Sequence, residues 1–300
     1  MAGLVPAIHV FLLQNGQDVD GRNKSGHDEL TDADAPGSEP PVRARVHSDP
    51  LEQRPTTARQ RMEHLSYPNE SKAYRAARNA LLDEEIALRA QIEAVAAKRR
   101  ALPPGGEVPQ DYVFERIGTT QMPEQVKMSK LFGPHDTLIL YSFMYGPERE
   151  SPCPGCTHLL DGIDGAARHL GERAAFHVVA KSPIARLAAW AHERGWEHMS
   201  LISTAGNSYD ADYFGDTSKF SKGMRQQHQV PDGENWDETI FNVFKKQNGT
   251  IRHFWGSELS FALPAPGQHH RAGDMADPLW NLLDMTPEGR GGDWFPKVEY

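Results

Sequence analysis

Two apolar runs of strand length, separated by a helical pattern, set what this chain can fold into. The first, residues 137–144 (Thr-Leu-Ile-Leu-Tyr-Ser-Phe-Met), is nearly continuous in apolar side chains, as expected of a strand covered on both faces of a parallel sheet. The second, residues 175–180 (Ala-Phe-His-Val-Val-Ala), has the same character. Between them Leu159, Ile163, Ala166 and Leu170 recur at helical spacing, and Gly171 ends the pattern. Ser182 and Pro183 then read as the N-cap and first residue of another helix, which turns Ile184, Leu187, Ala188 and Ala191 inward and stops at Gly195. A third short strand follows at 199–203. Strand, helix, strand, helix, strand calls for a mostly parallel sheet with helices on its faces.

The chain closes on a different signal. Residues 239–246 and 250–255 are rich in β-formers and flank Asn248 and Gly249, the pair that best tolerates a two-residue hairpin turn. A last helix is expected over 277–285, halted by Pro287 and Gly289, with an irregular tail after it. Upstream, residues 71–101 repeat Tyr74, Ala77, Leu81, Leu88, Ile92 and Val95 at spacings of three, four and seven until Pro103-Pro104-Gly105-Gly106 stops the helix. That stripe is expected to pack on the following domain or on a second copy of itself, while Lys98-Arg99-Arg100 complements the helix dipole. Residues 108–131 read as an extended lead-in. Residues 205–237, rich in Tyr, Asp and Gly, read as an insertion. Residues 1–61 carry no period after Gln14 and are expected to be a disordered leader, with the native start at Met62. The chain thus divides into a leader (1–61), an N-terminal amphipathic helix and linker (62–106), and an α/β domain (107–300) with an insertion at about 205–237.

Composition narrows the partners. A formal net charge of −9 provides no basic field for nucleic acid or an anionic membrane surface. No apolar segment is long enough to span a bilayer. Residues 1–14 are moderately apolar but lack a basic n-region and are broken by Pro6 and His9, so they do not read as a signal peptide and the cytoplasm is the expected location. The chain has 2 cysteines, too few for a disulfide framework. In a reducing compartment a C-x-x-C pair is a catalytic or metal-binding device.

That pair, Cys153-Pro154-Gly155-Cys156, falls where the first apolar run gives way to the helical pattern. Unpaired backbone N–H groups and the helix dipole at that place stabilise a thiolate, and Pro154 fits the first helical position without losing a useful donor. Cys153 is the expected nucleophile, and Cys156, three residues on, the expected resolving thiol. Glu148 and Glu150 would raise the thiol pKa if folded back over it, whereas Arg149 and a protonated His158 would lower it. A c-type haem needs His directly after the second cysteine, where Thr157 stands. A zinc site would have to recruit His158, His269 and His270, and no second C-x-x-C or H-x₃-H accompanies them. The peroxiredoxin pattern P-x-x-x-T-x-x-C fails in both frames: Gly146 and Glu150 precede Cys153 at its positions, Arg149 and Cys153 precede Cys156. Tyr209, Tyr213 and Phe214, with Asp210, Asp212 and Asp216, lack the Glu and Gly of a calcium loop and are expected to tuck their aromatics onto the core. Trp236, Trp255 and Trp280 read as packing residues.

The order of elements is that of a thioredoxin fold: an α/β domain with a mixed central sheet and helices on both faces. From about residue 67 to 300 the sequence also resembles the bacterial thioredoxin-like proteins of domain of unknown function 899, predicted dithiol-disulfide oxidoreductases. The resemblance is carried by Arg99-Arg100-Ala101-Leu102-Pro103, Asp111-Tyr112-Val113-Phe114-Glu115, Leu131-Phe132-Gly133, Phe143-Met144-Tyr145-Gly146-Pro147, the C-x-x-C itself, Gly195-Trp196 and residues 283–290 (Leu-Asp-Met-Thr-Pro-Glu-Gly-Arg). It implies the fold and redox roles for Cys153 and Cys156. Two departures from thioredoxins stand out. Glu238 and Thr239 occupy the place of the cis-proline before the penultimate strand, and residues 141–144 offer no buried carboxylate. The expected function is a thiol-disulfide oxidoreductase without a cofactor, acting on a protein or small-molecule disulfide and recycled by an electron donor. The alternative is a non-catalytic binding module of the same fold, or a metal-binding protein using the same cysteines.

Overall fold

The computed structural model of the chain describes residues 65–291 and 294–300, so the expectations for the leader and for a start at Met62 lie outside the described residues. Helix α1 (Lys72–Arg100) begins where the Ser71 hydroxyl accepts from the Tyr74 N–H at 3.0 Å, and its last turn carries Lys98, Arg99 and Arg100. It buries none of its residues: Tyr74, Leu81, Leu88, Ile92 and Val95 are exposed, and the Arg99 guanidinium rests over the Trp255 ring at 4.4 Å. The stripe therefore does not pack on the domain.

Strands β1 (Val113–Ile117) and β2 (Pro123–Lys127) follow, then the single-turn helix α2 (Met128–Leu131). The lead-in is thus an antiparallel hairpin closed by a helical turn, not one extended segment. Met128 and Leu131 must both reach the core from one short piece of chain, and a helical turn puts residues three apart on one side. Next come β3 (Thr137–Ser142), α3 (Pro154–Leu170), β4 (Ala175–Ala180), α4 (Ile184–Arg194) and β5 (Ser200–Ser203). Residues 205–237, the segment read as an insertion, contribute the short helices α5 (Tyr209–Asp212) and α6 (Lys222–Gln227). Strands β6 (Phe241–Gln247) and β7 (Thr250–Gly256) form the hairpin, with Asn248 at φ 51° and Gly249 at φ 82° as its left-handed turn. Helix α7 (Pro278–Leu283), capped by the Asp277 carboxylate, completes the set.

The seven strands form one sheet in the order β2-β1-β5-β4-β3-β6-β7. β3, β4 and β5 are parallel, β6 and β7 return antiparallel on the other side of β3, and β1 pairs antiparallel with β5. The block β4-β3-β6-β7, with a helix crossing from β3 to β4, is the thioredoxin-like arrangement. Because β3 to β4 to β5 step in one direction, right-handed crossovers place α3 and α4 on the same face. There they cover Tyr141, Phe143, Val178 and Leu201 with Leu160, Leu187 and Trp190. The opposite face is sealed by α2, α5 and an aromatic layer, in which Tyr112, Phe114, Phe132, Tyr209 and Phe244 enclose Leu138, Leu140, Val179 and Ile202. Leu138 and Leu140 face one way and Tyr141 and Phe143 the other, so the apolar run serves both layers.

Several local expectations shift by a residue or a face. Pro183, not Ser182, is the N-cap of α4; Ser182 is buried, its carbonyl accepting from the Ser203 hydroxyl at 2.7 Å. Trp190 joins Ile184 and Leu187 on the buried face of α4, with Ala191 packed partly against the same cluster, and Ala167 rather than Ala166 fills the inward face of α3. Gly195 stops α4 in the left-handed region at φ 69°. Tyr209 is fully buried, whereas Phe214 and Trp236 stay exposed. No helix among the described residues is long and apolar enough to cross a membrane.

Candidate active site at the Cys153–Cys156 turn

β3 ends at the sheet's centre, and residues 143–152 carry the chain over the edge to α3. Cys153 is the N-cap of α3 at φ −61°, ψ 123°, and Pro154 takes the first helical position. The Cys153 N–H donates to the Met144 carbonyl at 3.1 Å, and the Cys153 carbonyl receives both the N–H of Thr157 at 2.9 Å and its hydroxyl at 3.0 Å. These bonds fix the turn. Both cysteines are free; Cys153 is half-buried and Cys156 is buried at 3% exposure.

The two thiols are made unequal by their surroundings. The Cys156 thiol, the N–H groups of Cys156 and Gly155, and the Arg149 guanidinium favour a thiolate at Cys153, and together they outweigh burial to bring its pKa down to about 6. Cys156 is pushed well above its ordinary value, first by its hydrogen bond to Cys153, then by burial and by the negative charge on Cys153. The pair shares one proton unevenly.

The loop before Cys153 is clamped from α4. Arg186 donates to the carbonyls of Gly146 at 3.3 Å, Glu150 at 3.0 Å and Arg149, and its guanidinium lies over the Tyr145 ring at 4.2 Å. From the other side the Asp237 carboxylate accepts from the Gly146 N–H at 2.7 Å and is itself held by Lys181 Nζ at 2.7 Å. Lys181 also reaches Asp216 at 3.4 Å, so the insertion is tied to the end of β4 beside the site. Arg186→Ala is expected to lower stability by about 1.5–3 kcal/mol, the range for losing a hydrogen bond made by a charged group, and to slow Cys153 alkylation as Arg149 loses its fixed position. Urea unfolding and iodoacetamide kinetics on the same preparation check both.

His158 does not serve the thiols. Its Nε2 lies 3.3 Å from the Asp277 carboxylate and its ring meets Trp280 edge-on, with burial holding its pKa down. His269 packs on Trp280 and contacts Arg290 at 3.2 Å. The ligand set imagined for zinc is therefore not assembled on the cysteines, and no group of three metal-ligating side chains occurs among the described residues.

Three neighbours of the turn take roles the sequence does not reveal, although Glu238 is marked there by the missing proline. Tyr141, on the strand that offers no carboxylate, shares the buried cluster that encloses Cys156, and its hydroxyl accepts from the Thr239 hydroxyl at 2.8 Å. Glu238 is half-buried near Cys153; burial, Asp237 and the Cys153 charge raise its pKa to about 7. Phe295, in the tail, covers Gly155 so closely that a Cβ there would stand 3.1 Å from its ring. With Trp280 and Trp294 it forms an aromatic cluster beside the turn, centroids 6.0 and 6.1 Å from Trp280. The one sequence signal available was topological: the segment before β6 faces the turn in this strand order.

No curated protein matches the chain in sequence. Among solved structures it is similar to the reduced peroxiredoxin Prx3 of Vibrio vulnificus in complex with hydrogen peroxide, at 12% identity, TM-score 0.38, with 56% of this chain and 91% of that one covered. It is similar also to peroxiredoxin Q of Xanthomonas campestris, at 11% identity, TM-score 0.38, covering 51% and 84%. The 1-Cys peroxiredoxin of Plasmodium falciparum gives 9% identity, TM-score 0.38, covering 52% and 83%. The fold follows from the strand order rather than from likenesses this distant. By sequence, residues 64–300 match the family model described as bacterial protein of unknown function (DUF899), and the chain belongs to that family.

Proposed function

We propose that the protein is a thiol-disulfide oxidoreductase whose dithiol is Cys153 and Cys156. The observation that carries this reading is the asymmetry of the pair: a partly exposed cysteine at a helix N-cap, favoured as thiolate, backed by a buried cysteine on the same turn. The Cys153 thiolate attacks a client disulfide R–S–S–R′, forming the Cys153–S–S–R bond and expelling R′–S⁻, which takes a proton from solvent. Cys156 then gives up its proton and attacks the Cys153 sulfur, expelling R–S⁻, which is protonated to the thiol. Two electrons pass to the client, and the Cys153–Cys156 disulfide is reduced again by a thiol donor. The client is a protein or small-molecule disulfide. A reducing compartment such as the cytoplasm would hold the pair ready as the dithiol.

The test is the pH dependence of iodoacetamide labelling at Cys153. Only the thiolate reacts, so the rate is low below the thiol's pKa, rises through it and levels off above. The expected midpoint is about 6. A midpoint at the ordinary cysteine value of about 8.5 would remove the support for a primed nucleophile.

A further inference from the structure

The proposed chemistry leaves one step without an evident helper. Cys156 must become a nucleophile inside the protein, at 3% exposure, among Tyr141, Phe143, Leu159 and Leu160. A thiolate forming there cannot be stabilised by water. The Tyr141 phenol shares the buried cluster that encloses this thiol, and it and the Met144 N–H are the groups that ease negative charge on the sulfur. The phenol's orientation is set by its other partner. The Thr239 hydroxyl donates to the Tyr141 oxygen at 2.8 Å, so the single phenolic proton is free to point at Cys156. Tyr141 is itself 2% exposed and held against Phe241 with ring centroids 4.5 Å apart, which fixes the hydroxyl in place.

We propose that Tyr141 is a catalytic residue of the resolving step, donating a hydrogen bond to the Cys156 sulfur as that sulfur takes up negative charge and attacks the mixed disulfide at Cys153. This rests on the dithiol reading above. In the step the Cys156 S–H bond breaks, the Cys156–Cys153 bond forms, the Cys153–client bond breaks, and the proton ends on the departing client thiol. Tyr141 keeps its own proton throughout. Its role is electrostatic, a preorganised donor in a dry site at the point where charge develops. Thr239 acts through Tyr141 and is a positioning residue.

The experiment mixes reduced protein with excess 5,5′-dithiobis(2-nitrobenzoate) and follows the coloured thiolate. Attack by Cys153 releases the first equivalent and resolution by Cys156 the second. In Tyr141→Phe, which keeps the ring and its packing, the second phase is expected to slow about ten- to a hundredfold relative to the first, the effect of losing one hydrogen bond to a charged atom. Thr239→Val is expected to slow the same phase by a smaller factor. Thermal unfolding of both variants accompanies the kinetics. A second phase unchanged in a folded Tyr141→Phe protein would overturn the proposal, as would equal slowing of both phases, the mark of a general distortion. The dithiol reading fails separately: the wild-type protein would then release no second equivalent.

Discussion

Cys153→Ser is expected to lower the rate of disulfide reduction by about a thousandfold or more, because a serine hydroxyl in the same place stays protonated and replaces the more exposed cysteine of the pair. The residual rate cannot be carried by Cys156, which is buried and held as thiol. Cys156→Ser should behave differently. Serine keeps a hydroxyl donor beside Cys153 but has no thiol with which to resolve, so the first attack by Cys153 is expected to survive while release of the client stops. The two variants thus separate attack from resolution. Initial rates with a small disulfide substrate, measured above and below the wild-type midpoint, read both effects.

Phe244→Ala is expected to cost about 3–5 kcal/mol of stability, the range for emptying a fully buried aromatic site. Phe244 is 0% exposed and pairs in register with Leu138 of the central strand. Its ring meets Tyr213 edge-on at 4.9 Å, His253 at 5.4 Å and Tyr209 at 6.2 Å, so it is the hub joining the β6–β7 hairpin to the insertion. A cavity there loosens the insertion, and with it Asp237 and Glu238, which lie directly before β6. Equilibrium urea unfolding checks the loss. The companion expectation is that the Cys153 alkylation midpoint moves in the variant, since Asp237 no longer fixes the Gly146 loop.

What could be read from the sequence follows from how local each signal is. The run at 137–144, Ala175–Ala180 and Asn248-Gly249 each announce themselves within a few residues, and the structure places β3, β4 and the hairpin there. The helix start at Cys153 was legible for the same reason, since Pro154 marks a first helical position. The β1–β2 hairpin was not. Its strands are short, one face is largely exposed, and the turn between Gly118 and Met122 has no Asn-Gly signature. The inward face of α4 is wider than the alanine spacing suggests: Trp190 is buried beside Ile184 and Leu187 because its ring buries far more apolar area than Ala188 could, while Ala191 packs partly against the same cluster.

The groups around the thiols were hidden for a deeper reason. Thr239 lies 98 residues from Tyr141 in sequence, and Asp237 lies 91 from Gly146, so no local pattern could join them. A search for a carboxylate on β3 passed over Tyr141, whose phenol counts as apolar until its oxygen is seen against a sulfur. Phe295 stood in a tail with no period, yet it covers Gly155. Sequence singles out the cysteine pair; the fold surrounds it with Tyr141, Glu238, Asp237 and Phe295.

The most direct measurement is the intact mass of the Cys156→Ser protein after exposure to a disulfide substrate, followed by peptide mapping. A nucleophilic Cys153 without its resolving partner should hold one half of the substrate as a mixed disulfide, stable until a reductant is added, with the adduct on the peptide that contains Cys153. An unmodified protein, or an adduct that forms equally when Cys153 rather than Cys156 is replaced, would contradict the assignment of Cys153 as the attacking thiol and Cys156 as the one that resolves.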